Sequence, residues 1–163
     1  MEIVTSEIRI YEDLIKTISA LLLPSDKVIS NLAIFIAAIK IAFKKISWIG
    51  FYINENGILY LGPFQGNPAC SEITVGTGVC GISAERQKTI YVEDVNKFSE
   101  HIICDPNSKS EIVVPIMING NLWGVLDVDS YNYSAFTDTD KTFLEKLRDI
   151  LVKKIDLNSY ILK

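Results

Sequence analysis

From Ser6 onward apolar residues recur at a helical period: Ile8, Tyr11, Leu14, Ile15, Ile18, Leu21 and Leu22. Pro24 closes that stretch. Ser25 or Asp26 stands where a cap is expected for a second helix, which carries Val28, Ile29, Leu32, Phe35, Ile36 and Ile39. Its Ala37–Ala38 side reads as packed, and both stripes read as core faces rather than ligand boxes. At "SWIGFYI" the period changes to two. Trp48, Gly50 and Tyr52 then share one strand face, with a gap between two large aromatics, and Ile49, Phe51 and Ile53 share the face that meets the helices. "NENG" predicts a turn into the returning strand "ILYLG", "EITV" a third strand, "GTGVCGISAERQ" a short helix and "TIYV" a fourth strand. Residues 93–110 read as an irregular loop holding His101 and Cys104. "EIVVPIMI", "NGN" and "LWGVLDVDS" predict a hairpin. "FTDTDKTFLEKLRDILVKKI" predicts a final helix capped by Thr137, with Asp140 in its first turn and Phe143, Leu144, Leu147, Ile150 and Leu151 inward.

Two helices, antiparallel strands with long excursions and a last helix define an α+β class: a central antiparallel sheet with the N- and C-terminal helices on one face. Loops and short helices must cover the other face, and a ligand pocket beneath them is the natural consequence. No repeat, linker or low-complexity segment divides residues 1–163, so one domain is expected.

The hairpin poses a question of parity. Asp127 and Asp129 point the same way, and strict alternation puts Trp123 and Val125 on their face. Two carboxylates there are either solvated or partnered, because burial without partners is costly. With a tight two-residue turn at Asn119–Gly120, Ile112 faces Asp127 and Glu111 points to the opposite side. With one extra residue, from a three-residue loop or a bulge near Pro115, Glu111 faces Asp129. A three-carboxylate cluster therefore requires one unpaired residue in this hairpin.

Charge and cysteine usage narrow the chemistry. The net charge is −4 and no Lys/Arg stripe is present, so nucleic acid is not an expected partner. The apolar run Leu32 to Ile39 is too short to cross a bilayer, and "MEIVTSEIRIYEDL" is not a signal peptide, so the expected location is the cytoplasm. Three cysteines are too few for a disulfide framework, and a disulfide between any two is expected to be transient and chemical.

The segments "WIGFY", "LGPFQGNPAC", "VGTGVCG", "EDV", "HIICD", "SEIVVP", "GVLDVDS" and "FTDTD" together resemble the GAF-domain free methionine-(R)-sulfoxide reductases. "GVLDVDS" alone occurs in many sensor domains; the three cysteines with their neighbours are far more specific. The resemblance implies a GAF fold and reduction of free L-methionine (R)-S-oxide through a cysteine sulfenic acid and an intramolecular disulfide. It implies Cys104 of "HIICD" as nucleophile, Cys70 of "GNPAC" as the usual resolving partner and Cys80 of "GVCG" as an auxiliary or alternate one. Glu111, Asp127 and Asp129 fall on the family's acidic cluster, and Trp48 and Tyr52 on its methyl-pocket aromatics. Clustered carboxylates raise one another's pKa, so Glu111 or Asp129 is the candidate acid. No resident cofactor or metal is expected; the implied reductant is an external dithiol such as thioredoxin. A homodimer through the helical layer is compatible with this reading.

Blander readings stand beside it. Cys80 between two glycines is equally suited to packing, Cys70 to an ordinary loop thiol, and His101 to a backbone hydrogen bond. A non-catalytic ligand-binding GAF sensor is the first rival, because a fold does not fix a function. A zinc site of Cys70, Cys80, His101 and Cys104 is the second, although Cys70 and Cys80 lack the close spacing of such sites.

Overall fold

A computed structural model describes residues 2–99 and 102–160, with side chains from residue 6 onward; His101 lies outside the described residues. Helices α1 (Glu2–Leu21) and α2 (Val28–Ala42) precede strand β1 (Trp48–Glu55). Then follow β2 (Ile58–Gln65), β3 (Glu72–Thr74), α3 (Gly78–Arg86), β4 (Ile90–Val92), β5 (Ser110–Ile118), β6 (Asn121–Ser130) and α4 (Asp138–Lys154). The strands form one antiparallel sheet in the order β3-β2-β1-β6-β5-β4. None of the described helices is long and apolar enough to cross a membrane.

One face of the sheet carries the main core. Tyr11, Leu14 and Ile18 of α1, Leu32, Phe35, Ile36 and Ile39 of α2, and Leu144, Leu147 and Leu151 of α4 pack there against Ile49, Phe51 and Ile53. Each such side chain fully removed from water contributes on the order of 1.5–3 kcal/mol. The helical period thus located the buried stripe, although Leu21 and Ile29, at its margins, remain exposed.

The start of α2 differs from expectation. Lys27 occupies the cap position and no side chain caps the helix. The turn is fastened instead from inside the helix by the buried Asn31. Its Oδ1 accepts the Leu23 N–H at 2.9 Å, and its Nδ2 donates to the Leu23 carbonyl at 2.9 Å. At α4, Asp140 closes the expected capping box with Thr137. Asp140 also accepts the Tyr11 hydroxyl at 2.7 Å and the Lys45 ammonium at 2.8 Å, so one buried carboxylate joins α1, the α2–β1 connection and α4. Removing one partner of such a buried pair leaves an uncompensated charge, which costs roughly 3–5 kcal/mol.

The β5–β6 hairpin resolves the parity question. Asn119 and Gly120 form a tight two-residue turn with φ of 50° and 80°, the handedness that suits twisted strands. Beyond it Met117 pairs with Leu122 but Ile116 pairs with Gly124, so Trp123 is the one extra residue. This bulge overturns the expectation that Trp123 shares a face with the aspartates. It turns the indole into the helical core, edge-on to Phe51 at 6.1 Å between centroids, where Nε1 donates to the Leu157 carbonyl. Past the bulge, Glu111 pairs with Asp129 and Val113 with Asp127. Gly124 lets β6 approach β1 beside the bulge: a Cβ there would lie 2.2 Å from the Tyr52 carbonyl oxygen.

Candidate active site

Pairing across β1, β6 and β5 builds the site in rows on the face away from the long helices. Trp48 stands beside Asp129, which stands beside Glu111; Gly50 stands beside Asp127, which stands beside Val113. The expected gap at Gly50 is the seat of the Trp48 ring itself, since a Cβ on Gly50 would come 2.6 Å from the indole and 2.5 Å from the Phe64 Cβ. Trp48 stacks between Phe64 and Tyr52, with centroid separations of 5.4 and 6.1 Å. Helix α3 and the connections 66–71 and 102–109 roof this face. They enclose a cavity of about 40 Å³, lined among others by Trp48, Tyr52, Cys80, Cys104 and the three carboxylates. That is room for roughly three waters.

Cys70 and Cys104 are joined in a disulfide across 34 residues of sequence, with Cα atoms 5.2 Å apart. The ring residues hold the Cys70 side of this bridge. Trp48 Nε1 donates to the Asn67 carbonyl at 3.0 Å, and the Tyr52 hydroxyl donates to the Cys70 carbonyl at 2.9 Å. The aromatic floor and the loop above it are therefore one hydrogen-bonded unit. Burial and the nearby Asp127 carboxylate push the Tyr52 phenol far above its usual pKa, so it stays a donor.

The acidic trio is buried, with Glu111 and Asp127 each 6% exposed. Burial first, then the charges of Asp127 and Asp129, push the Glu111 pKa well above the ordinary carboxylate range. Burial and Asp127 push Asp129 up as well, against the opposing effect of the Ser108 hydroxyl, which donates to Asp129 Oδ1 at 2.6 Å. Asp127 is raised only to about 6, by burial. Burial and mutual repulsion thus favour the protonated forms of the trio, most strongly at Glu111 and Asp129 and least at Asp127. Cys80, on the first turn of α3, is a buried free thiol whose Sγ lies 3.7 Å from Glu111 Oε1. Burial and the carboxylates drive its pKa up, so it donates a hydrogen bond rather than serving as a thiolate.

The structure brings together Trp48, Tyr52, Cys80, Cys104, Glu111, Asp127 and Asp129 around one chamber, with Cys70 bonded to Cys104. The Cys₃His zinc set is not assembled in this state: two of its four ligands are bonded to each other, and His101 lies outside the described residues. Potential ligand atoms of Cys80, Glu111 and Asp127 do lie within 4.8 Å of one another, a spacing that a cation or a substrate ammonium could bridge. Sequence reasoning missed Ser108, Asn67, Asp105 and Tyr131. "DPNS" at 105–108 carries an Asx-turn signal that could have marked Asp105; nothing in the sequence pattern marks Tyr131.

An antiparallel sheet with long helices on one face and a roofed chamber on the other is a GAF domain, and the sequence profile of the GAF domain matches residues 28–152. Among curated relatives, the free methionine-R-sulfoxide reductase of Escherichia coli is 40% identical over 150 residues, covering 92% of this chain and 91% of that protein. The enzyme of the same name from Saccharomyces cerevisiae is 50% identical over 112 residues, covering 66% of this chain and 62% of that protein. The X-ray structure of free methionine-R-sulfoxide reductase from Neisseria meningitidis, in complex with its substrate, superposes with a TM-score of 0.85 at 37% identity, covering 91% of this chain and 90% of that one. The chain belongs to the GAF-domain family of free methionine-R-sulfoxide reductases.

Proposed function

We propose that this protein reduces free L-methionine (R)-S-oxide to methionine, with Cys104 as the nucleophile. The observation that carries this reading is the Cys70–Cys104 disulfide at the roof of a chamber whose walls are three carboxylates and whose floor is two aromatic rings. The Cys104 thiolate attacks the sulfoxide sulfur while a protonated carboxyl, Glu111 or Asp129, donates to the oxygen. The oxygen passes to Cys104, which becomes a sulfenic acid as the substrate sulfur is reduced by two electrons and methionine leaves. Cys70 then displaces that oxygen as water and forms the disulfide. An external dithiol of the thioredoxin type reduces it, and the cycle requires no resident cofactor.

Specificity follows from the same walls. Asp127, the most acidic of the trio, is suited to the substrate ammonium through a charge-assisted hydrogen bond, which a peptide-bound sulfoxide lacks. Trp48 and Tyr52 are suited to the terminal methyl, which orients the sulfoxide and selects one epimer. The reduced protein, offered both epimers of free methionine sulfoxide and a peptide-bound one with a dithiol, is expected to turn over the free R form alone. Equal activity on the peptide would eliminate ammonium recognition.

The indole seat supplies a second test. In Gly50→Ala the new methyl displaces Trp48, because 2.6 Å is far inside van der Waals contact. KM for the free sulfoxide is expected to rise about tenfold with a smaller change in kcat, while stability falls by about 1–3 kcal/mol from overpacking. An unchanged KM would show that the indole does not hold the methyl.

A further inference from the structure

Besides the disulfide, a second connection joins the two cysteine loops. Asp105, the residue after Cys104, has both carboxylate oxygens engaged. Oδ1 accepts the Asn107 N–H at 2.9 Å, which fixes the turn. Oδ2 accepts the Tyr131 hydroxyl at 2.9 Å and the Asn67 side-chain amide at 3.4 Å. The Asn67 amide also donates to the Tyr131 hydroxyl oxygen at 2.8 Å. Three segments meet here: the Cys70 loop through Asn67, the Cys104 loop through Asp105, and the chain just past β6 through Tyr131. Asn67 is anchored independently, since its carbonyl receives the Trp48 indole N–H. Tyr131 is 39% exposed and is not among the residues lining the chamber. Its hydroxyl therefore touches the loops and not the ligand space itself, although its acceptor Asp105 lines the chamber edge.

We propose that Tyr131, Asp105 and Asn67 form a clamp that positions the Cys70 thiol against oxidised Cys104 and accelerates disulfide formation, independently of the sulfoxide-reducing step. The proposal rests on the assignment of Cys104 as nucleophile and Cys70 as its resolving partner. In the step concerned, the Cys70 thiolate attacks the Cys104 sulfur, the S–O bond of the sulfenic acid breaks, an S–S bond forms, and hydroxide leaves as water with the thiol's proton. No outside oxidant is needed, because the two oxidising equivalents came from the sulfoxide. Before the S–S bond exists, nothing covalent holds the loops together. A clamp that keeps them adjacent raises the effective concentration of one thiol at the other. The three residues are positioning residues, since none of them reacts.

The clamp separates two rates that can be read in one experiment. Reduced wild-type protein and Tyr131→Phe are mixed with excess free methionine (R)-sulfoxide and no reductant. Methionine released per chain reports the first step; disulfide, measured after quenching with a thiol-alkylating reagent, reports the second. Tyr131→Phe is expected to release its first methionine at the wild-type rate and to form the disulfide roughly tenfold more slowly, the loss of about 1.4 kcal/mol of positioning. Trapping of Cys104 sulfenic acid by a 1,3-diketone should rise correspondingly. Asn67→Ala should slow the disulfide step similarly, and the double variant should be little slower than either single one, because both break the same clamp. A wild-type rate of disulfide formation in Tyr131→Phe overturns the proposal, as does an equal slowing of both steps. A wild-type protein that releases no methionine in its first turnover removes the parent assignment as well, and that failure appears in the first readout alone.

Discussion

Replacing Cys104 by serine is expected to lower the turnover of free methionine (R)-sulfoxide by at least roughly 10³-fold, the usual consequence of removing a reacting nucleophile. A serine hydroxyl fits the space but is far less acidic than a thiol, and its oxygen, unlike sulfur, cannot be oxidised to carry the sulfoxide oxygen. Cys70→Ser should behave differently. It retains the reacting sulfur, so one methionine per chain should appear, followed by a stall with Cys104 held as sulfenic acid. A small monothiol should restart that variant, because it attacks the sulfenic acid directly, whereas a thioredoxin-type protein, which needs a disulfide to reduce, should restart it poorly. Methionine quantified by chromatography at single-turnover and steady-state conditions checks both. Wild-type turnover in Cys104→Ser would remove Cys104 as the nucleophile, and a wild-type protein without turnover would return to the class of ligand-binding GAF modules. Cys80→Ser, by contrast, alters a buried donor to Glu111 and removes no sulfur from the disulfide.

The second large effect concerns the acidic trio, where function and stability are expected to move in opposite directions. All three carboxyls have folded-state pKa values above those of the unfolded chain: Asp127 at about 6, Glu111 and Asp129 well above the ordinary range. Such groups hold protons in the folded state that the unfolded chain has already released. Their contribution is fully present below about pH 4, where unfolded carboxylates are protonated, and is lost as pH rises through the folded values. Stability is therefore expected to fall from pH 4 upward through pH 6 and beyond on account of these groups. Glu111→Gln removes one ionisable member while keeping its shape and a hydrogen-bonding side chain. Its melting temperature should exceed that of the wild type at pH 8 by several degrees, with the difference shrinking toward pH 4. Its kcat should fall by about 10²–10³-fold if Glu111 supplies the proton to the sulfoxide oxygen. Thermal melts from pH 4 to 8, paired with steady-state kinetics, decide the matter. A melting temperature at pH 8 below that of the wild type would mean that the trio does not repel itself, and an unaffected kcat would transfer the acid role to Asp129.

The elements read correctly from the chain are those whose signal is local. The stripes of α1, α2 and α4 repeat over several turns, and the alternation of β1 separates Trp48 and Tyr52 from Ile49, Phe51 and Ile53 within six residues. The failures have a common origin. Ser25 and Asp26 are good cap residues, yet Asn31 fastens the turn: its buried amide reaches back to both the N–H and the carbonyl of Leu23, the carbonyl also accepting the Asp26 N–H. Trp123 was placed by alternation, and a single unpaired residue reversed it. Asp140 was legible as a helix cap, while its bonds to Tyr11 and Lys45 span 129 and 95 residues. The Asn67–Tyr131 contact spans 64 residues and left no periodic trace at all.

For the site, the sequence by itself determined the reacting groups and their local sidedness. Three thiols, a pair of aspartates two apart and two aromatics on one strand face are properties of neighbouring residues, and periodicity preserves them wherever the strand is placed. Only the tertiary structure decided that Glu111 joins the aspartates, that Trp123 leaves them, and that the disulfide is Cys70–Cys104 rather than either pairing with Cys80. The physical reason is that strand register and loop closure are set by where distant segments find mutually satisfied packing and hydrogen bonds. One bulged residue carries every side chain beyond it to the other face of the sheet.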